Sequence, residues 1–377
     1  MNQLRPLTID EYKNKGIVIP SVILTDKTVP VRSQFVDQIF KFIQTIDRIR
    51  NNSEYIQDVL SQDRNQVTQV ANRAILNSFD FHLTSEGPKL IEVNTNAAFS
   101  SMGSLLQASK NVSPNFGHFF EEFANDIKSE LILFFKSNVE PKILIVDQNL
   151  ENQFAAFEMF LFQDFFESLG WFCKVRDLQE VEFDGACLKD SEGNQFNFVY
   201  NRHTDFLFAQ PESKHLKAAF DSKKICFSPN PFEYLLLAHK ERLIQWNQRD
   251  LLEKYGLDES EIILLNQTIP RSFVLKKENS KDAWENRKKL FFKPLAMFGS
   301  KGVYRGESIS KSKFETLLEG EYLAQEYFPA PEFDGFKYDL RVYTYQKSIR
   351  MMLVRLYQGQ VTNMRTPGGG LGLIAKI

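Results

Sequence analysis

The chain of 377 residues carries 46 Lys and Arg against 48 Asp and Glu, a net charge of −2 that argues against a general nucleic-acid binder. Its 43% hydrophobic and 25% charged residues suit a globular protein with more than one core. No apolar run approaches the roughly 20 residues of a membrane span, the amino-terminal MNQLRPLTIDEYKNK lacks an apolar signal core, and Cys173, Cys187 and Cys226 have no metal-ligand spacing, so a cytoplasmic protein away from membranes is expected.

The first clear element is an amphipathic helix over 33–50, with Phe35, Ile39, Phe42, Ile43, Ile46 and Ile49 on one face. Phenylalanine is abundant, 35 against 3 Trp, and reads as core filling. Residues 89–94 (KLIEVN) follow the turn SEGP as a strand, and a polar, helical stretch leads to Pro141. KILIVD (142–147) is a buried strand. A helix with Phe154, Phe157, Leu161, Phe165 and Leu169 on one face ends at Gly170. Strands at 173–177 and 196–202 complete the pattern of a small parallel α/β lobe. Asn230-Pro231 opens a helix carrying LLLAHKERL. Strands SFVL, LFFKP, YLAQEYF and DLRVYTY alternate with short helices thereafter, with 276–289 as a surface connection.

Four stretches carry chemistry. In LFFKPLAMFGSKGVYRG (290–306) a strand delivers Lys293 to a loop with Gly299, Ser300 and Gly302, where backbone N–H groups can approach a phosphate; a plain glycine turn is the other reading. Gln325, Glu326, Tyr327 and Phe328 form either an edge strand or a hinge whose backbone reads an adenine edge. Arg341 and Arg355 sit on a hairpin, as structural ion-pair partners or as braces for a transferring phosphoryl group; Asn363 and the run Gly368-Gly369-Gly370 then form a flexible loop. Glu92 and Asn94 alternate onto one strand face. With Asp80 from the preceding strand they offer oxygens suited to Mg²⁺, unless the face is merely solvated.

The joint order of these stretches resembles the ATP-grasp superfamily, an α/β (α+β) fold, in a circularly permuted form in which the E-x-N strand precedes the lysine loop. Within it the chain resembles eukaryotic-type glutathione synthetases, through Glu92-Val93-Asn94-Thr95, Tyr200-Asn201-Arg202, Leu237-Ala238-His239-Lys240 and, loosely, Glu151-Asn152-Gln153. The resemblance implies an ATP- and Mg²⁺-dependent carbon–nitrogen ligase joining a small-molecule or peptide carboxylate to an amine through an acyl-phosphate. The alternatives are a non-catalytic ATP-binding module, an acyl-phosphate-releasing kinase, or a glutathione- or glutathionylspermidine-type synthetase. It further implies ATP contacts from Lys240, Lys293, Gly299, Ser300, Gly302 and 325–328, catalytic Arg341 and Arg355, and metal ligands Asp80, Glu92 and Asn94. Substrate contacts would come from Arg202, Asn363, Arg365, Gly369 and Gly370, and a homodimer is compatible. Residues 1–136 and 231–377 would be two parts of the core, with 137–230 a separate substrate lobe. Met297 stands where those synthetases have a glutamate metal ligand. Ala97, Phe99 and Ser78 replace side chains that hold γ-glutamylcysteine, so a different acid is expected.

Overall fold

The computed structural model describes residues 9–17, 19–20, 23–110, 118–295 and 302–377. Its largest sheet has seven strands. Leu24–Val31, Gly370–Lys376, Ser348–Tyr357, Phe336–Tyr345, Asn77–Thr84 and Gly87–Asn94 lie side by side in that order, and Glu332–Phe333 pairs with Phe336–Tyr345. Only the first pairing is parallel; it joins residues from opposite ends of the chain. The strand bearing Glu92 therefore shares a sheet with the arginine hairpin.

The Ser33–Arg50 helix covers one face of this sheet. Its 3.6-residue spacing of Phe35, Ile39, Phe42, Ile43, Ile46 and Ile49 puts all six inside. Phe42 packs edge-on against Phe79 and Phe81, the inward residues of the Asn77–Thr84 strand. On the other face lie the Ser100–Ser109 and Phe119–Phe135 helices, helical as expected but less polar than the sequence suggests. Phe120 and Phe123 bury themselves against Phe162, Phe165 and Phe166, with Phe119 stacked on Phe123, so the acidic residues of this stretch mask an apolar stripe.

A four-stranded parallel sheet follows, in the order Cys226–Phe227, Phe198–Asn201, Lys142–Asp147 and Phe172–Asp177. The strand read over 196–202 is interrupted at Asn197, whose side chain receives the Lys142 N–H and donates to the Glu140 carbonyl. A four-stranded antiparallel sheet of Ser272–Val274, Tyr322–Glu326, Leu290–Pro294 and Tyr304–Arg305 carries Lys293. The 276–289 segment is more than a surface connection: it forms the Ser280–Glu285 helix, burying Ala283 and setting Trp284 against Phe314. Among the described residues no helix is long and apolar enough to cross a membrane, and the three cysteines are free thiols.

Candidate active site

Two adjacent strands build the acidic side of the site. Asn77–Thr84 turns through Ser85 and Glu86 into Gly87–Asn94, and the register sets Asp80 opposite Glu92 and Ser78 opposite Asn94. The Asn94 amide lies 3.3 Å from Glu92 Oε1 and 3.4 Å from Asp80 Oδ2. Glu92 and Asn94 are half-buried, whereas Asp80 is 0% exposed. Arg341 donates to both Asp80 oxygens at 2.8 and 2.7 Å, and Arg355 adds a third bond at 2.9 Å. Arg355 also grips Asp339 at 2.7 and 2.9 Å, and the Thr362 hydroxyl donates to Asp339 at 2.6 Å. Burial would raise the Asp80 carboxyl, but the two guanidinium groups outweigh it and hold it below its ordinary value. Asp80 is thus placed beside Glu92 as expected, with its oxygens already engaged by the arginines.

Two lysines face this hairpin. Lys293, near the end of the Leu290–Pro294 strand, donates to the Ile91 carbonyl at 2.8 Å and to Gln325 Oε1 at 2.7 Å. Burial pushes its ammonium down to about 8, with Glu92 opposing and Lys240 reinforcing the shift. Lys240 arrives by a break in a helix. Asn230 caps Pro231–Glu233, Tyr234–Ala238 winds as a π turn, and His239 N–H closes on the Tyr234 carbonyl at 2.9 Å before the backbone turns extended. The continuous helix read through LLLAHKERL is therefore two pieces, and the interruption delivers Lys240 to within 3.5 Å of the Leu295 carbonyl. Burial pushes His239 down to about 4, aided by Arg242 and Lys240.

Lys240, Lys293, Glu92, Asn94 and Thr95 line one cleft, together with Phe206, Tyr234, Leu237, His239 and Leu243. Gly299, Ser300 and Met297 lie outside the described residues; Gly302 adopts φ 68°, a conformation glycine reaches without strain. Gln325 faces Lys293 with its Nε2 buried and unpartnered. Glu326 and Tyr327 direct their N–H groups to the Arg271 and Lys289 carbonyls, and Tyr322–Glu326 lies inside its sheet between Ser272–Val274 and Leu290–Pro294, so the edge-strand reading does not hold. Tyr327 stacks on Phe291 with Arg305 over its ring, and the Phe328 carbonyl meets His82 at 2.8 Å.

The remaining candidates are dispersed. Arg202 is buried, donating to Asn96 Oδ1 at 2.6 Å and the Ala97 carbonyl at 2.8 Å, so it ties the parallel sheet to the segment after Asn94. Asn363 and Arg365 are exposed, and Arg365 lies over the Phe154 ring at 4.4 Å. The Gly368–Gly370 run is not a loose hinge. Gly369 is buried where a Cβ would sit 2.3 Å from the Leu356 carbonyl, and Gly370 begins the last strand. Glycine there permits close packing of two backbones. Among the described residues no three His, Cys, Asp or Glu side chains gather as a metal cluster; of the three proposed metal ligands, Glu92 and Asn94 line the cleft with the lysines. Sequence reading missed Asp339, the second anchor of Arg355, although its Asp-Leu-Arg context was visible. It also missed His239, Phe206 and Tyr234, which nothing in the local pattern marks as cleft residues.

No family model and no curated protein matches the chain. Among solved structures, one titled "Putative gamma-glutamylcysteine synthetase", from Methylobacillus flagellatus KT, aligns over 90% of this chain and 87% of its own, with TM-score 0.52 and 9% identity. ATP-grasp ligase PsnB matches more weakly. Its complex with a phosphomimetic variant of minimal precursor, Mg and ADP covers 60% of this chain and 77% of its own, with TM-score 0.36 and 16% identity. Its complex with precursor peptide PsnA2 and AMPPNP covers 63% and 88%, with TM-score 0.32 and 14% identity. At such identities the likeness concerns architecture alone, and the mixed α/β fold described above is the one shared with the Methylobacillus structure.

Proposed function

We propose that the chain is an ATP-dependent ligase of the ATP-grasp type, in permuted order, that joins a carboxylate to an amine through an acyl-phosphate. The observation that carries the reading is the convergence of Lys240 and Lys293 with Glu92 and Asn94 on one cleft, from three separate stretches of sequence. Two cations beside a carboxylate and an amide suit a polyphosphate and its counter-ion. Lys293 is buried and short of negative charge, which an incoming phosphate would supply. Strand pairing supports treating 1–136 and 231–377 as two parts of one core, with 137–230 as the substrate lobe.

In this reading Lys240 and Lys293 hold the ATP phosphates, the sequence resemblance assigns Gly299, Ser300 and Gly302 to the same phosphates, and the 325–328 segment borders the base. Glu92 and Asn94 are hard oxygen donors of the kind Mg²⁺ takes while keeping several waters, and bound there it would neutralise phosphate charge. A carboxylate oxygen of the acid attacks the γ-phosphorus and ADP leaves. The amine nitrogen then attacks the acyl carbon, the phosphate departs with the bonding electrons, and the amine gives up a proton. Arg341 and Arg355, fixed by Asp80 and Asp339, present permanent positive charge to the transferring group without reorganising. Asn363 and Arg365 border the acceptor side, and Arg202 braces the segment that follows Asn94. ADP release measured with and without candidate amines tests the proposal. Release that depends on both an acid and an amine, and is lost in Lys293→Ala, supports it; ATP binding with no release under any acid and amine would leave a binding module.

A further inference from the structure

The lining of the cleft changes character away from the lysines. Phe206 and Tyr234 stack with ring centroids 4.7 Å apart and planes 16° apart, and both border the cleft. Leu237 and Leu243, both buried, extend this wall. Phe206 belongs to the segment that leaves the parallel sheet at Arg202, whose carbonyl accepts from Asn96 at 2.8 Å. Tyr234 opens the π turn that ends at Ala238, two residues before Lys240. The wall is thus fixed to the same two stretches that carry Asn94 and the phosphate lysine, and lies next to where the acyl-phosphate would form.

Among the described residues the charged groups lining this cleft are Glu92, Lys240 and Lys293. On the ligase reading, on which this inference rests, all three face the nucleotide and its metal, and none is left for a substrate side chain. Two polar atoms in the lining lack a hydrogen-bond partner: Thr95 Oγ1, on a residue 1% exposed, and His239 Nδ1, whose nearest acid is Glu241 Oε2 at 3.6 Å. Unpartnered buried polar atoms are costly and point to a ligand or water that satisfies them. Both groups are neutral hydrogen-bonding partners, since burial keeps the imidazole uncharged near neutral pH.

We infer that the Phe206–Tyr234 wall is the subsite for the side chain of the acid, and that the enzyme activates a carboxylic acid with an apolar or aromatic side chain in preference to a glutamyl one. A second carboxylate placed against Phe206, Tyr234 and Leu237 would lose its hydration and gain no cation. A leucyl or phenylalanyl side chain would instead bury apolar surface on apolar surface. Thr95 and His239 then serve the polar atoms next to the reacting carboxylate.

The test uses the full chain with MgATP and hydroxylamine, which intercepts an acyl-phosphate as a hydroxamate with release of phosphate. The acids are leucine, phenylalanine and glutamate, each free and as the C-terminal residue of an alanyl dipeptide. The leucyl or phenylalanyl acids should be used with kcat/KM about tenfold or more above the glutamyl ones, the scale on which one apolar pocket discriminates. Phe206→Ala should raise the KM for the apolar acid and erase the preference, leaving the KM for ATP within about twofold. Phe206→Tyr should retain the preference, which guards against a misfolded variant. A preference for glutamate or a Phe206→Ala enzyme with undiminished discrimination would each overturn the subsite. ATP binding without consumption of any acid, or failure of the parent to bind ATP at all, would instead bring down the ligase reading beneath it.

Discussion

Arg355 and Asp80 are 275 positions apart in the chain and 2.9 Å apart in the fold. The Asp80 carboxylate holds Arg341 as well, so one buried anion fixes both of the cations proposed to meet the transferring phosphoryl group.

Asp80→Ala should therefore cost about 3–5 kcal/mol in unfolding free energy, the scale of removing one partner from a buried ion pair. Asp80→Asn should cost less, because an amide oxygen still accepts from a guanidinium. Denaturant unfolding of the two variants checks the ranking. If Asp80→Asn leaves stability unchanged but raises the Mg²⁺ requirement, Asp80 acts through the metal and its arginine bonds are incidental.

Glu92→Gln should abolish turnover, by about a hundredfold or more as for other lost transition-state electrostatics, with little change in unfolding midpoint, because Glu92 is half-buried at the cleft rather than in the core. Steady-state ADP release and a thermal melt on the same preparation separate the two effects. Comparable loss of fold and activity would point to a structural carboxylate.

Lys293→Met should weaken MgATP binding by about 10- to 100-fold, the loss expected for charge-assisted hydrogen bonds worth ~1.5–3 kcal/mol. Lys240→Ala should weaken it comparably. Titration calorimetry measures both, and wild-type affinity in both variants would refute the phosphate assignment.

The Lys293 ammonium, pushed down to about 8 from an ordinary 10.5, sets two pH dependences. Between these values the unfolded chain binds the extra proton, so nucleotide-free stability should rise with pH across this window. The destabilisation is fully present below about 8. Lys293→Met should lack this rise and melt a few degrees higher at pH 7 than the parent without ATP. ATP affinity in the parent should fall as pH passes 8, because the free protein then loses the charge that the phosphates need. Flat affinity from pH 7 to 9.5 would contradict the assignment.

Gly369→Ala should destabilise by about 1–3 kcal/mol as an overpacked position, since the added Cβ would sit 2.3 Å from the Leu356 carbonyl. The exposed Arg365→Ala should leave stability within about 0.5 kcal/mol while changing turnover if the 358–369 segment borders the acceptor. Equal, negligible effects of the two would mean that the glycine run packs less tightly than its geometry indicates.

Local pattern disclosed what depends on local physics. Alternation put Glu92 and Asn94 on one face, and the SEGP turn returned that strand beside Asp80. Helical spacing gave the Ser33–Arg50 boundaries, and the Asn-Pro pair gave the cap at Asn230. Register between distant strands left no such trace. Nothing near position 80 says that Arg341 will pair with it across the Asn77–Thr84 and Phe336–Tyr345 ladder. The π turn was hidden because Tyr234–Ala238 is as apolar as any buried helix, and its break at His239 is set by the surroundings. Gly368–Gly370 misled for a related reason: three glycines read as freedom, and only the neighbouring Leu356 backbone shows that at least Gly369 serves closeness.

The parallel pairing of Leu24–Val31 with Gly370–Lys376 also governs when the protein can work during its own synthesis. Arg341 and Arg355 emerge from the ribosome late, and the strand that closes the sheet beside them emerges later still. An early-made strand must wait, its hydrogen-bonding edge open, while the intervening residues are translated at about 5–20 residues per second. The Asp80 carboxylate waits with it, its counter-ions not yet made. A nascent chain halted before Arg341 should therefore expose both an apolar sheet face and an uncompensated acid to chaperones, and it would hold none of the paired charge on which the site is built.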